Sequence, residues 1–148
     1  MLERLNASMV GRPDLLEGRT SLTVFQGMTG MTENVFLNTK NRSHSITADL
    51  EVPQGGANGV LIAQAGRFGG WSFYVKDGKP MYNFLGLEIF KVAADKPLPA
   101  GKVTVRYEFA YDGGGPGKGG TGTILVNGQK VATGAIVRTQ GFAFSADE

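Results

Sequence analysis

From residue 21 onward, apolar and polar side chains alternate with a period of two. Ile46, Ala48, Leu50 and Val52 alternate with Ser45, Thr47, Asp49 and Glu51, and Pro53-Gln54-Gly55-Gly56 closes the run. Residues 101–111 repeat the pattern, with Val103, Val105, Tyr107, Phe109 and Tyr111 on one face and Lys102, Thr104, Arg106 and Glu108 on the other. Successive side chains of a strand point to opposite faces, so this alternation predicts antiparallel strands with one face buried. Asp77-Gly78 between residues 71–76 and 79–83, and Asn127-Gly128 between 121–126 and 129–135, predict two hairpins. Both dipeptides tolerate the positive φ angles of a type I′ turn. Further strands are expected at 22–25, 35–38, 60–64, 87–92 and 141–144. The sum is about ten short strands with turn signals roughly every 8–12 residues, and little helix, the rhythm of an all-β sandwich or barrel.

Composition narrows this picture. A chain of 148 residues is one domain's worth. Its 41% hydrophobic and 19% charged content is that of a globular domain. The net charge of +2 is too small and too scattered for a nucleic-acid footprint. No run approaches the ~18 apolar residues of a membrane helix. Cysteine is absent, which removes disulfides, thiolate nucleophiles and cysteine metal sites. The 23 glycines are about twice the usual ~7% share and lie between the apolar runs, as many tight turns require.

Residues 1–20 read as an arm or linker ahead of a sandwich spanning 21–148. Leu2, Leu5 and Met9 have near-helical spacing, which Gly11 and Pro13 end. The opening residues lack a signal-peptide pattern, so the chain as it stands is expected in the cytoplasm, or in the periplasm if an upstream leader exists. One long segment, Asp112-Gly113-Gly114-Gly115-Pro116-Gly117-Lys118-Gly119-Gly120, carries six glycines and cannot pack a core of its own.

Several segments together resemble the C-terminal region of bacterial arylsulfatases. They are Gly11-Arg12-Pro13-Asp14-Leu15, Gly27-Met28-Thr29-Gly30-Met31, Lys40-Asn41-Arg42-Ser43-His44 and Arg67-Phe68-Gly69-Gly70-Trp71-Ser72. Tyr82-Asn83-Phe84-Leu85-Gly86-Leu87-Glu88 and Leu98-Pro99-Ala100-Gly101-Lys102 follow. The last are Arg106-Tyr107-Glu108-Phe109-Ala110-Tyr111-Asp112 and Phe144-Ser145-Ala146-Asp147-Glu148. Each is turn or strand chemistry alone; their order along the chain is the specific feature.

The resemblance implies a concanavalin-like, jelly-roll antiparallel sandwich that follows a sulfatase catalytic domain and packs against it or in homo-oligomer contacts. It also implies that the pattern continues past Glu148, leaving the sandwich short of its last strand or strands. An unpaired edge of that kind is a template for self-association. Sulfatases of this type work with formylglycine, made from a Cys/Ser-x-Pro-x-Arg motif, beside a divalent metal such as calcium. None of the six prolines here has Cys or Ser two positions before it, so no catalytic residue carries over and both groups belong to the absent domain. The chain itself is expected to be no enzyme and to hold no cofactor.

Four residues are candidates for ligand contact. Arg67 and Trp71 could form a platform for a sugar ring or an aryl sulfate, since guanidinium matches sulfate geometry. Periodicity favours the alternative that Trp71 faces the core with Phe73 and Val75. In the glycine-rich segment, a backbone nest with Lys118 could hold an anion. Asp112 could contribute to calcium binding, although one carboxylate falls short of six to eight oxygen ligands. A surface loop, mobile or ordered only against the catalytic domain, is the favoured reading there. His44, the only histidine, reads as a turn residue between strands: a metal site usually needs three protein ligands. The sequons Asn6-Ala7-Ser8 and Asn41-Arg42-Ser43 carry no weight in a bacterial-looking chain.

Overall fold

The alternating runs become eight strands in a computed structural model that describes residues 16–145. They are β1 (His44–Val52), β2 (Gly59–Gly66), β3 (Gly69–Lys76), β4 (Lys79–Leu85), β5 (Ile89–Ala93), β6 (Gly101–Tyr111), β7 (Lys118–Val126) and β8 (Gln129–Arg138). Two antiparallel four-stranded sheets form, ordered β1-β6-β7-β8 and β2-β3-β4-β5. The second sheet is a sequential meander set inside the connection from β1 to β6. Without it, β1, β6, β7 and β8 are also a meander. The expected all-β sandwich is therefore present, built from one meander nested in another.

The core lies between the sheets. Trp71, Phe73, Val75, Tyr82, Phe84 and Val92 come from one sheet; Val103, Val105, Tyr107, Phe109, Ile124 and Ile136 come from the other. Tyr82 and Tyr107 stack across the interface with ring centroids 3.6 Å apart. Large rings on β6 are accommodated by glycines on β7: Phe109 pairs with Gly122 and Tyr111 with Gly120. A Cβ on Gly122 would lie 2.7 Å from the Tyr107 hydroxyl, so the ring occupies the space a side chain would need.

Both hairpin turns take the expected form, with Asp77 and Gly78 at φ 52° and 75° and Asn127 and Gly128 at φ 48° and 81°. All four angles are positive, as a type I′ turn requires. These tight turns lie at one end of the sandwich. The opposite end carries the β2–β3 and β4–β5 turns, the chain entering β1, the segment between β6 and β7, and the chain leaving β8. We call it the loop end.

Three expected strands are not strands. Residues 22–25 and 141–144 are irregular, and 35–38 begin in a short 3-10 turn, Glu33–Val35. In two of them apolar side chains still reach the core through Phe36 and Phe144. The Phe144 backbone, however, pairs outside any ladder: its amide donates to Glu33 Oε2 at 3.0 Å and its carbonyl accepts from Phe68 N at 2.9 Å. An apolar anchor and a ladder strand look alike in a short sequence window. The helical turn expected at residues 1–11 lies outside the described residues.

The nested sheets close on one side and part on the other. Gly134 of β8 sits beside Lys91 and Val92 of β5, whereas β1 and β2 each have one strand neighbour. Between β1 and β2 runs a cleft of ≈ 1180 Å³, bordered by residues 24–33. Phe25, Met28 and Val60 line it with exposed apolar side chains.

Candidate functional site

The loop end gathers most of the residues that the sequence marks as interesting. Arg67 is exposed at the tip of the β2–β3 turn. Asp112 and Lys118 are exposed at the two feet of the glycine-rich segment, where the Asp112 amide donates to the Gly119 carbonyl at 3.0 Å. Both regions abut residues 139–144: Gln140 reaches the Phe68 carbonyl, and the Thr139 amide donates to the Gly117 carbonyl at 3.0 Å. Arg67 and Lys118 thus share one end of the molecule without a direct bond between them among those described.

Trp71 does not join them. It is 1% exposed, stacks on Tyr82 and packs against Phe36. The proposed ligand platform is corrected here: Trp71 is a core residue, because the β3 pleat turns it inward together with Phe73 and Val75.

The glycine-rich segment is fastened by the chain's own groups, which corrects the expectation of a loop that is mobile or ordered only by a partner. The Tyr111 hydroxyl donates to the Gly115 carbonyl and accepts from the Lys118 amide at 3.1 Å. Asn41 binds on the other side. Its Oδ1 accepts from Gly117 N at 2.8 Å, and its Nδ2 donates to the Gly141 carbonyl at 2.7 Å. Asn41 sits at φ 59°, a left-handed conformation that asparagine tolerates better than most residues. Its signal in the sequence is only a turn asparagine, since its partners lie 76 and 100 residues away.

A second anchor is Glu33. It pairs with Lys40 while accepting the Phe144 and Ser145 amides at 3.0 and 3.2 Å. Lys40 Nζ also lies 4.9 Å above the Phe144 ring. The two charged side chains are only 10% and 11% exposed, so each depends on the other for compensation.

Beneath these anchors lies a small cavity of ≈ 20 Å³. Its rim is polar, formed by Thr39, Lys40, Asn41, Thr139 and Gln140, and its floor includes Trp71, Tyr82, Phe109 and His44. His44 opens β1 rather than sitting in a turn, and packs against Phe109 with ring centroids 5.5 Å apart. Burial pulls its pKa below the usual value of 6.5, a shift only partly opposed by its hydrogen bond to the Arg42 carbonyl. No carboxylate among the described residues lines this cavity. Among the described residues, no three His, Cys, Asp or Glu side chains gather as a metal ion would need.

The fold defines an antiparallel β-sandwich domain whose loop end carries Arg67, Asp112 and Lys118 together with the exposed apolar side chains of Phe68, Leu87 and Phe142. No protein-family model, curated protein or solved structure matches the chain. The likeness to sulfatases therefore rests on the sequence segments alone.

Proposed function

We propose that this chain is a non-catalytic accessory domain of the arylsulfatase type, which docks by its loop end on a catalytic domain that hydrolyses sulfate esters. The observation that carries this reading is the set of exposed apolar side chains there. Phe68 lies in the β2–β3 turn, Leu87 in the β4–β5 turn and Ile89 at the start of β5. Val137 is near the end of β8 and Phe142 follows it. The Arg138–Glu88 ion pair ties the β8 end to the β4–β5 turn, and Gln140 ties the Phe142 segment to Phe68. Exposed apolar side chains gathered on a folded domain mark a contact surface. In this reading the formylglycine and the divalent metal belong to the partner, and this chain shapes its rim.

The test is association with a sulfatase catalytic domain encoded in the same genome, measured by calorimetry. Leu87 and Phe142 are 94% and 65% exposed, so Leu87→Asp and Phe142→Asp should leave the fold intact. Each should weaken association at least tenfold. Absence of any complex, or affinity unchanged in both variants, overturns the reading.

The exposed cations Arg67 and Lys118 at the same end support a second reading, in which the domain binds a sulfated glycan or an aryl sulfate. A thermal shift with such compounds that disappears in Arg67→Ala would favour it.

A further inference from the structure

We infer that the cavity beneath the loop end is a binding site for one buried water molecule, held between Trp71 and His44. The indole Nε1–H of Trp71 is buried and has no hydrogen-bond partner among the described residues, and neither has His44 Nε2. Both side chains line the same cavity. Buried donors and acceptors are almost always paired, with protein or with ordered water, so two orphans on side chains that line one space point to a shared partner.

Their chemistry is complementary. His44 Nδ1 lies 3.2 Å from the Arg42 carbonyl, which can only accept, so the ring hydrogen sits on Nδ1. His44 Nε2 is then a lone-pair acceptor. Trp71 can only donate. The bridging group must therefore accept one hydrogen bond and donate another, which a hydroxyl does. A volume of ≈ 20 Å³ exceeds the roughly 10–15 Å³ that one water needs, and it is far below that of a sugar ring. Polar rim groups from Thr39, Asn41 and Thr139 lie within the same lining and offer further partners. An apolar void of this size would stay dry; this one is bordered by polar atoms.

The chain has one tryptophan and one histidine, so both reporters are unambiguous in NMR spectra. Water-selective NOE and ROE spectra of the native protein should give cross-peaks of opposite sign at the indole N–H, the signature of a water held for longer than a nanosecond. Long-range nitrogen spectra should show His44 as the Nδ1–H tautomer. Because rim hydroxyls can imitate the first signal by exchange, oxygen-17 relaxation dispersion supplies the independent count. One long-lived water should be lost in Trp71→Phe and in His44→Phe. An Nε2–H tautomer, or a native protein with no long-lived water at the indole, overturns the inference. So does an unchanged oxygen-17 count in the folded variants. If either variant fails to fold, the native spectra still decide.

Discussion

At the scale of single residues, buried titratable rings set limits on the pH range of the fold. His44 binds a proton less readily when folded than when unfolded, because burial penalises the imidazolium. As pH falls below 6.5 the unfolded chain takes up that proton while the folded chain resists it. Stability contributed by neutral His44 is therefore complete above 6.5 and is lost progressively on acidification. We predict that urea unfolding between pH 7.5 and 5.5 shows declining stability in the native chain and a flatter profile in His44→Phe. Equal slopes would refute it. Tyr107 behaves in the opposite sense: burial raises its phenol pKa, so its contribution fades as pH rises above 10.

At the scale of elements, the complementarity of β6 and β7 governs packing. The β6 rings Tyr107 and Phe109 lie over a β7 face that keeps glycine at 120 and 122. Tyr107 is fully buried and stacked on Tyr82, and so has nowhere to retreat. Gly122→Ala should consequently cost about 1–3 kcal/mol, as overpacking of a filled core does. The check is a lower urea midpoint with an unchanged slope; a midpoint within error of the native one would show that the ring yields.

The elements also show what the residue pattern can convey. Alternation and the two Asx-Gly dipeptides locate β1, β3, β4, β6, β7, β8 and both tight turns, because strand pleat and turn sterics are local rules. The same rules place Trp71 in the core by its spacing from Phe73 and Val75. They fail for residues 141–144, where one anchored ring imitates a strand while Glu33 and Phe68 take up its backbone. They also fail for Asn41 and for the cavity. Both arise only when segments far apart in the chain meet, and nothing near them in the sequence records that meeting.

At the scale of the whole molecule, the two sheets differ in how far the chain must travel to complete them. Pairing within β2–β5 and within β6–β8 joins consecutive strands. Docking β1 on β6 instead brackets residues 53–100, from the Val52–Gly101 pair outward. Closing so long a loop is entropically costly before its contacts form. We predict that β1 docks after the folding barrier. Leu50→Ala on β1 should lose about 1–2 kcal/mol, less than a fully buried leucine, almost entirely through faster unfolding. Ile124→Val, inside the β6–β8 meander, should slow folding. Stopped-flow chevrons decide the matter, and a slower folding limb in Leu50→Ala would contradict it.

The cleft between β1 and β2 gives that order a practical meaning. A strand that arrives last, next to an aisle lined by Phe25, Met28 and Val60, is also the first that another polypeptide can replace. Handling this protein at high concentration will therefore expose a competition between its own first strand and a neighbour's, decided at that seam rather than in the aromatic interior.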